Sequence, residues 1–508
     1  MRKARFAKPR VLPLLVTLAV VRLLAGATVA AEEAAPPVAE HPDVAAAIDL
    51  YEVWAAEQMA YRHQPGLSIG VVHDGELVWA RGFGLADVAA GRPAGPETVY
   101  RVGSITKTFT ATALMLLRDE GRLRLDDPVR RHLPWLAYRN PFRDEPEITV
   151  WNLLTHTSGL PRESAFPYWT DRAFPTREQL REALAGQEGL FEPGADYQYS
   201  NLAIALAGEV VAAASGTSWS EFVRRRILEP LGMTRTFTGP PPSELADLAT
   251  GYLIRRPDGV QPVAPPTVAR GLAPAADISS TVADLAKFVA AQLGGGPGEE
   301  PPLRAATRRE MQRVHWLSPS WSSGRGLGFS VWRHEGRTLV GHGGWVAGHR
   351  GQIAFDPASR IGVVVLTNSD EGGPGAYVDQ AFELIVPAIE RAVAPADEPG
   401  PPLADPGRYA GAYHSPWGEV TEVLVRRGRL VAYDHSYPPT DDPEGSITPL
   451  LPDGEHAFRT EAPPGRRGTP VVFELLEDGR VGRVKWGENY LYPAGCGAID
   501  RELRCTWE

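Results

Sequence analysis

Cysteine and lysine are what this chain has least of. Two cysteines, Cys496 and Cys505, occur in 508 residues. That is too few for a disulfide scaffold and too few to ligate a structural zinc. No His-Glu-x-x-His is present, so no zinc-hydrolase site, metal or other cofactor is expected, and the chain is not read as an α/β-hydrolase. Positive charge is also short: 52 basic residues stand against 62 acidic ones, a net of −10. A chain of this sign has no general attraction for phosphate backbones, which excludes nucleic acid as the expected partner. Among the basic residues only five are lysines: Lys3, Lys8, Lys107, Lys287 and Lys485. Apolar runs long enough for a membrane are absent outside the first thirty residues.

Those first residues have a layout of their own. Arg2, Lys3, Arg5, Lys8 and Arg10 precede the run VLPLLVTLAVV, and small residues follow in GATVAA. This is the pattern of a secretory signal, residues 1–31, and it implies a periplasmic or secreted protein with no integral span after cleavage. The segment carries six basic and no acidic residues, so the mature chain has 46 against 62, a net of −16. In an exported protein Cys496 and Cys505 read as one disulfide tying down the tail, the alternative being two unpaired thiols.

SIGVVHDGELVWARGFG is two apolar runs about Asp74-Gly75, a hairpin signal. A helix follows, then a polar, Pro-rich middle with short helices in TREQLREALAG and NLAIALAGEVVAAA. Strands return near residue 340 in TLVGHGG, RGQIAFDP and RIGVVVLTN, before a helical YVDQAFELIVPAIERAV. The expected fold is α/β (α+β): one antiparallel sheet shared by the first hairpin and the late strands, flanked by helices, with a helical lobe inserted. The catalytic part is placed at 32–393 and a Pro-rich linker at 394–404. A small all-β domain, barrel or sandwich, takes 405–508.

Lysine in a chain that otherwise chooses arginine asks for a reason, because lysine can lose its proton when buried and arginine cannot. Lys107 stands three residues after Ser104 in RVGSITKTFT. On a helix the two share a face; the alternative is a solvated surface lysine. Farther on, ADYQYSNLAIAL holds Tyr199 and Asn201, where N-capping by Ser200 or Asn201 is an equal reading. LVGHGGWVAGHRG places His342 at a strand end before Gly343, Gly344 and Trp345.

Ser-x-x-Lys opening a helix, Tyr-x-Asn in a helical lobe, and a basic residue followed by glycine on a late strand resemble the serine β-lactamase-like, penicillin-binding-protein superfamily, across about residues 45–390. ITVWNLLTHTSGL, LEPLGMTRT and GLAPAADISSTVADLAKF resemble family segments as well. The resemblance implies that Ser104 is acylated, Lys107 takes its proton, Tyr199 relays a proton to the leaving group and Asn201 contacts the substrate amide. The backbone N–H groups of Ser104 and Trp345 would form the oxyanion hole, with His342, Gly343 and Gly344 beside the substrate. His342 departs from the family's lysine: a neutral imidazole offers no fixed charge for a β-lactam carboxylate, which points to the esterase and D-aminopeptidase branch. The expected activity is acyl transfer from D-residue peptides, amides or esters, small-molecule or cell-wall derived. A true β-lactamase, or a slowly deacylating penicillin-binding sensor, is the alternative. His156 is expected to be structural, and GRGLGF, a nucleotide-loop lookalike without βαβ context, is set aside.

Overall fold

The computed structural model describes residues 37–142, 146–239, 241–242, 247–296, 300–394, 403, 405–426, 428–434, 446–462, 466–500 and 505–506. The expected signal segment, 1–31, lies outside the described residues, as does the linker apart from Ala394 and Leu403.

The chain begins and ends its main sheet in the centre. The strand Gly66–His73 pairs antiparallel with Ile361–Thr367, from Leu67 opposite Thr367 to His73 opposite Ile361. It turns back at Asp74 and Gly75, both at positive φ, into Glu76–Asp87, as the Asp-Gly signal requires. His349–Asp356 and Arg337–Val346 extend the other side of a nine-stranded sheet. The central strands are covered on both faces, which is why IGVVVLT reads as an unbroken apolar run. Val363 and Val365 pack toward the helices Pro42–Tyr61 and Pro374–Val393, whereas Val364 and Leu366 pack toward Thr106–Asp119 and Val282–Leu293. The helical lobe stands between the hairpin and the late strands, as the sequence implies. Its helix Asn201–Ser215 is capped by the Ser200 hydroxyl, which accepts from Ala203 N, and ends at Gly216 in the left-handed region.

One sequence pattern is removed by the fold. Gly66-Leu67-Ser68-Ile69-Gly70 has the Gly-x-Ser-x-Gly spacing of a nucleophile elbow, but it lies within a strand. Ser68 is fully buried, with its hydroxyl held by Gly95 O and Tyr100. It is a core serine. Asp126 and Asp127 precede Pro128 in the manner of helix caps but cap nothing: Asp127 instead binds Arg131 and His132 as a buried hub.

The carboxy-terminal strands form a closed barrel of eight, Gly411–His414 through Asn489–Pro493, which settles barrel against sandwich. Closure comes from Tyr413 opposite Pro493 and His414 opposite Tyr492. Tyr413, Val423, Leu430, Phe458, Phe473 and Val484 fill it. Closing the sheet on itself leaves no open edge to pair with another chain. Cys496 and Cys505 are joined in a disulfide, Cα–Cα 5.5 Å, across a short ribbon in which Ile499 opposes Cys505. Among the described residues no single helix is long and apolar enough to cross a membrane.

The bridge spans nine residues of sequence, so it should add about 2–3 kcal/mol by restricting the unfolded chain. Intact mass of purified protein should rise by two alkylations only after reduction. Alkylation of both thiols without reductant would refute the pairing.

Candidate active site

Ser104 sits on a 3-10 turn, Gly103–Ile105, that runs straight into the helix Thr106–Asp119. Gly103 has φ +52°, and a Cβ there would lie 2.6 Å from the backbone nitrogen of Trp345. A Cβ on Gly344 would be 1.9 Å from Val102 O. Two glycines therefore let the late strand press against the serine turn, a backbone approach no side chain would permit. The N–H groups of Ser104 and Trp345 are brought to neighbouring positions by this contact.

Lys107 is wholly buried. Its Nζ lies 2.9 Å from Ser104 Oγ and donates to Ala275 O at 2.8 Å. Burial pulls its pKa down to about 7, with the Glu163 carboxylate opposing and Arg162 assisting. At that value the amine is half neutral at pH 7, and its lone pair can accept the serine proton. Tyr199 moves the other way. Burial pushes it up to about 12, against a hydrogen bond to Ser104. Its ring packs at a tilt against His156, centroids 4.5 Å apart, and has Lys107 Nζ and the Arg162 guanidinium each 5.0 Å from its centroid. His156 ends its helix at φ +60° and accepts from Ser200 N, so it fixes the tyrosine loop, a structural role.

His342 is 6% exposed and buried beside this group, its ring 6.2 Å from that of Tyr199. Burial, aided by the nearby Lys107 charge, brings its pKa down to about 3. It is neutral. Its Nδ1 lies 2.6 Å from Gly343 O, which can only accept, so the proton is on Nδ1 and Nε2 keeps a lone pair.

A cavity of about 910 Å³ opens over Ser104. Tyr199, Asn201, Gly343, Gly344 and Trp345 line it, and His342 does not. Asn201 donates to Glu163 Oε1 at 2.8 Å, and its own Oδ1 is buried without a partner. Guanidinium groups stand here that the reading of His342 alone did not include. His342 is neutral, but Arg162, Arg325 and Arg350 all line the cavity. Arg325 belongs to the GRGLGF stretch, which therefore contributes to the site. Its glycines serve packing: a Cβ on Gly328 would be 2.2 Å from the Ala111 side chain on the serine helix. Arg162, Glu163 and Trp169 follow THTSGL in a Pro-rich segment that shows no periodicity. The one available signal was the charged pair immediately after a family-like segment.

A family model described as Beta-lactamase matches residues 53–386. The protein flp of Staphylococcus aureus (strain N315) is 28% identical over 307 residues, and the match spans 60% of each chain. The octameric penicillin-binding protein homologue from Pyrococcus abyssi is 28% identical, with a TM-score of 0.59, covering 87% of this chain and 99% of that one. A D-stereospecific amidohydrolase from Streptomyces sp. is also 28% identical, with a TM-score of 0.55, covering 67% and 98%.

If the neutral form of Lys107 is the one that reacts, acylation should rise tenfold per pH unit below about 7 and level off above it. Since Glu163 raises the Lys107 pKa, Glu163→Gln should move this limb to lower pH. The second-order rate of labelling by a fluorophosphonate, measured from pH 5 to 9, reports the free enzyme. A limb that stays in place or moves upward would rule out this electrostatic coupling.

Proposed function

The chain belongs to the beta-lactamase family of hydrolases, and we propose that it is an exported serine hydrolase working through an acyl-enzyme on Ser104. The observation that carries this reading is a buried lysine with a pKa of about 7, its Nζ 2.9 Å from Ser104 Oγ. In this scheme Ser104 Oγ attacks the carbonyl carbon while its proton passes to Lys107 Nζ. The oxyanion is met by the N–H groups of Ser104 and Trp345, each such donor contributing about 100- to 1,000-fold. Tyr199, protonated at neutral pH, gives its hydroxyl proton to the leaving nitrogen or oxygen and recovers one from Lys107. Water then attacks the Ser104 ester, surrendering a proton through the same pair, and the acid departs as Ser104 regains its own.

For substrate, the reading is D-residue peptides, amides or esters. Similarity to the D-stereospecific amidohydrolase supports it, and so does Asn201, a side-chain amide on the cavity wall that in this reading meets the amide of the acyl part. A second reading, a true β-lactamase, is favoured by the three arginines of the cavity, which offer a β-lactam carboxylate the cation that His342 withholds. Export rests on the signal-like residues 1–31 and on the disulfide. The division into a catalytic part at 32–393, a linker and an all-β domain from 405 belongs to the same proposal.

Ser104→Ala should abolish fluorophosphonate labelling while the fold persists. Lys107→Arg keeps the charge and removes the base, so acylation should fall by about 100- to 10,000-fold. Labelling of Ser104→Ala at the wild-type rate would end the nucleophile assignment. A chromogenic cephalosporin turned over with higher kcat/KM than p-nitrophenyl acetate and D-alanine p-nitroanilide would select the second reading.

A further inference from the structure

Two tryptophans meet at the edge of the Ser104 cavity. Trp169, on the short helix Tyr168–Asp171, and Trp345, on the strand Arg337–Val346, have ring centroids 5.4 Å apart and planes tilted by 37°. Both line the cavity, and they are 37% and 43% exposed. Paired rather than scattered, they make a contiguous apolar patch on the cavity wall, and it is such patches that mark binding surfaces. They come from separate walls, the helical lobe and the sheet.

Each is held firmly from behind. Trp345 Nε1 donates to Asp370 Oδ1 at 2.7 Å, and the same oxygen accepts from Gly348 N at 2.9 Å. Trp169 packs edge-on against Phe174 at 5.3 Å and beside Tyr168 at 5.5 Å, both of which are buried. The indoles thus form a fixed apolar wall, open on the cavity side. A separation of 5.4 Å is too small for a third ring to slide between them, so a guest must lie against the pair. Flat, apolar, π-bearing groups fit such a surface best, through offset or edge-on contact.

The wall also has a side. Trp169 shares its chain segment with Glu163, which holds Asn201 by a 2.8 Å hydrogen bond, and in the proposed mechanism Asn201 receives the acyl amide. We propose that Trp169 and Trp345 form a subsite for an aromatic ring carried on the acyl part of the substrate, an inference that rests on the acyl-transfer reading of Ser104. The preferred substrates would then be arylacetyl-type or aromatic D-residue acyl donors over small aliphatic ones.

Two measurements test this. The first compares p-nitrophenyl phenylacetate with p-nitrophenyl acetate, which share a leaving group and differ only in the acyl part. Wild type should favour phenylacetyl. Trp169→Ala should lower the ratio of kcat/KM values at least tenfold, chiefly through KM for the phenylacetyl ester. Trp169→Phe, which keeps a ring, should recover most of it, and Trp169→Leu, which keeps bulk without a ring, should not. A ratio unchanged in Trp169→Ala, or equal recovery by leucine, overturns the subsite. The second needs no turnover: Ser104→Ala protein is titrated with phenylacetamide and with acetamide by calorimetry. Phenylacetamide should bind at least tenfold more tightly, and adding Trp169→Ala should remove that advantage. Retained binding of phenylacetamide in a protein whose wild type never acylates would overturn the Ser104 reading while keeping the aromatic subsite. Acylation without any phenyl preference would do the reverse.

Discussion

An amine with no water around it is the constraint on which the rest of the site depends. Lys107 has two hydrogen-bonding partners, Ser104 and the Ala275 carbonyl, and burial is the largest cause of its low pKa. Keeping it dry requires walls that do not move. The segment carrying Ala275 is fastened to the serine helix where Thr110 donates to Pro274 O and where Ile278 N donates to Thr106 Oγ1. A buried Arg101–Asp277 ion pair at 2.5 Å secures its far end. Phe109 stacks on Phe288 at 4.0 Å on the helix's sheet-facing side. Every residue from Thr106 to Leu117 is buried, an unusual cost for a helix that also holds an ionisable group. In the proposed reading that burial is what lets the amine act as a base.

The sheet supplies the opposing wall, and its contribution is a matter of closeness more than of side chains. The first strand pairs with the last, so the chain on either side of the helical lobe returns to one rigid layer. Arg337–Val346 can approach the serine turn only because Gly344 and Gly103 carry no Cβ where Val102 O and Trp345 N stand. The same strand then delivers Trp345 to the cavity edge. The close approach and the exposed indole thus come from one strand, and a shift of its register by one would exchange which of its residues face the serine.

Much of this was legible in the sequence. Asp74-Gly75 and the apolar IGVVVLT specify the hairpin and a doubly covered strand, and a lysine three residues after a serine marks their common face. The face on which His342 stands was not legible, since alternation gives two sides without saying which is the cavity. Arg325 was obscured by resemblance to a nucleotide loop. Arg162, Glu163 and Trp169 lie where prolines and short turns break every period, so only tertiary folding brings them to Ser104. Barrel closure was equally hidden, because it depends on pairing the first and last strands of the domain, Tyr413 with Pro493, and local patterns do not encode that.

The histidine at 342 gains its meaning from Lys107. Where the family pattern has a lysine on this strand, the chain has an imidazole, 6.2 Å in ring separation from Tyr199. That imidazole is neutral: burial first, and then the Lys107 charge, hold its pKa down, and its Nδ1–H is committed to Gly343 O. His156 is likewise pushed well below its usual range by burial, and Tyr199 up to about 12. The guanidinium groups on the cavity wall are those of Arg162, Arg325 and Arg350. Of the lysine, tyrosine and two histidines clustered behind Ser104, only Lys107 is placed to titrate near neutrality. In the proposed reading, proton transfer therefore falls to Lys107 behind the cavity and charge recognition to the arginines that line it.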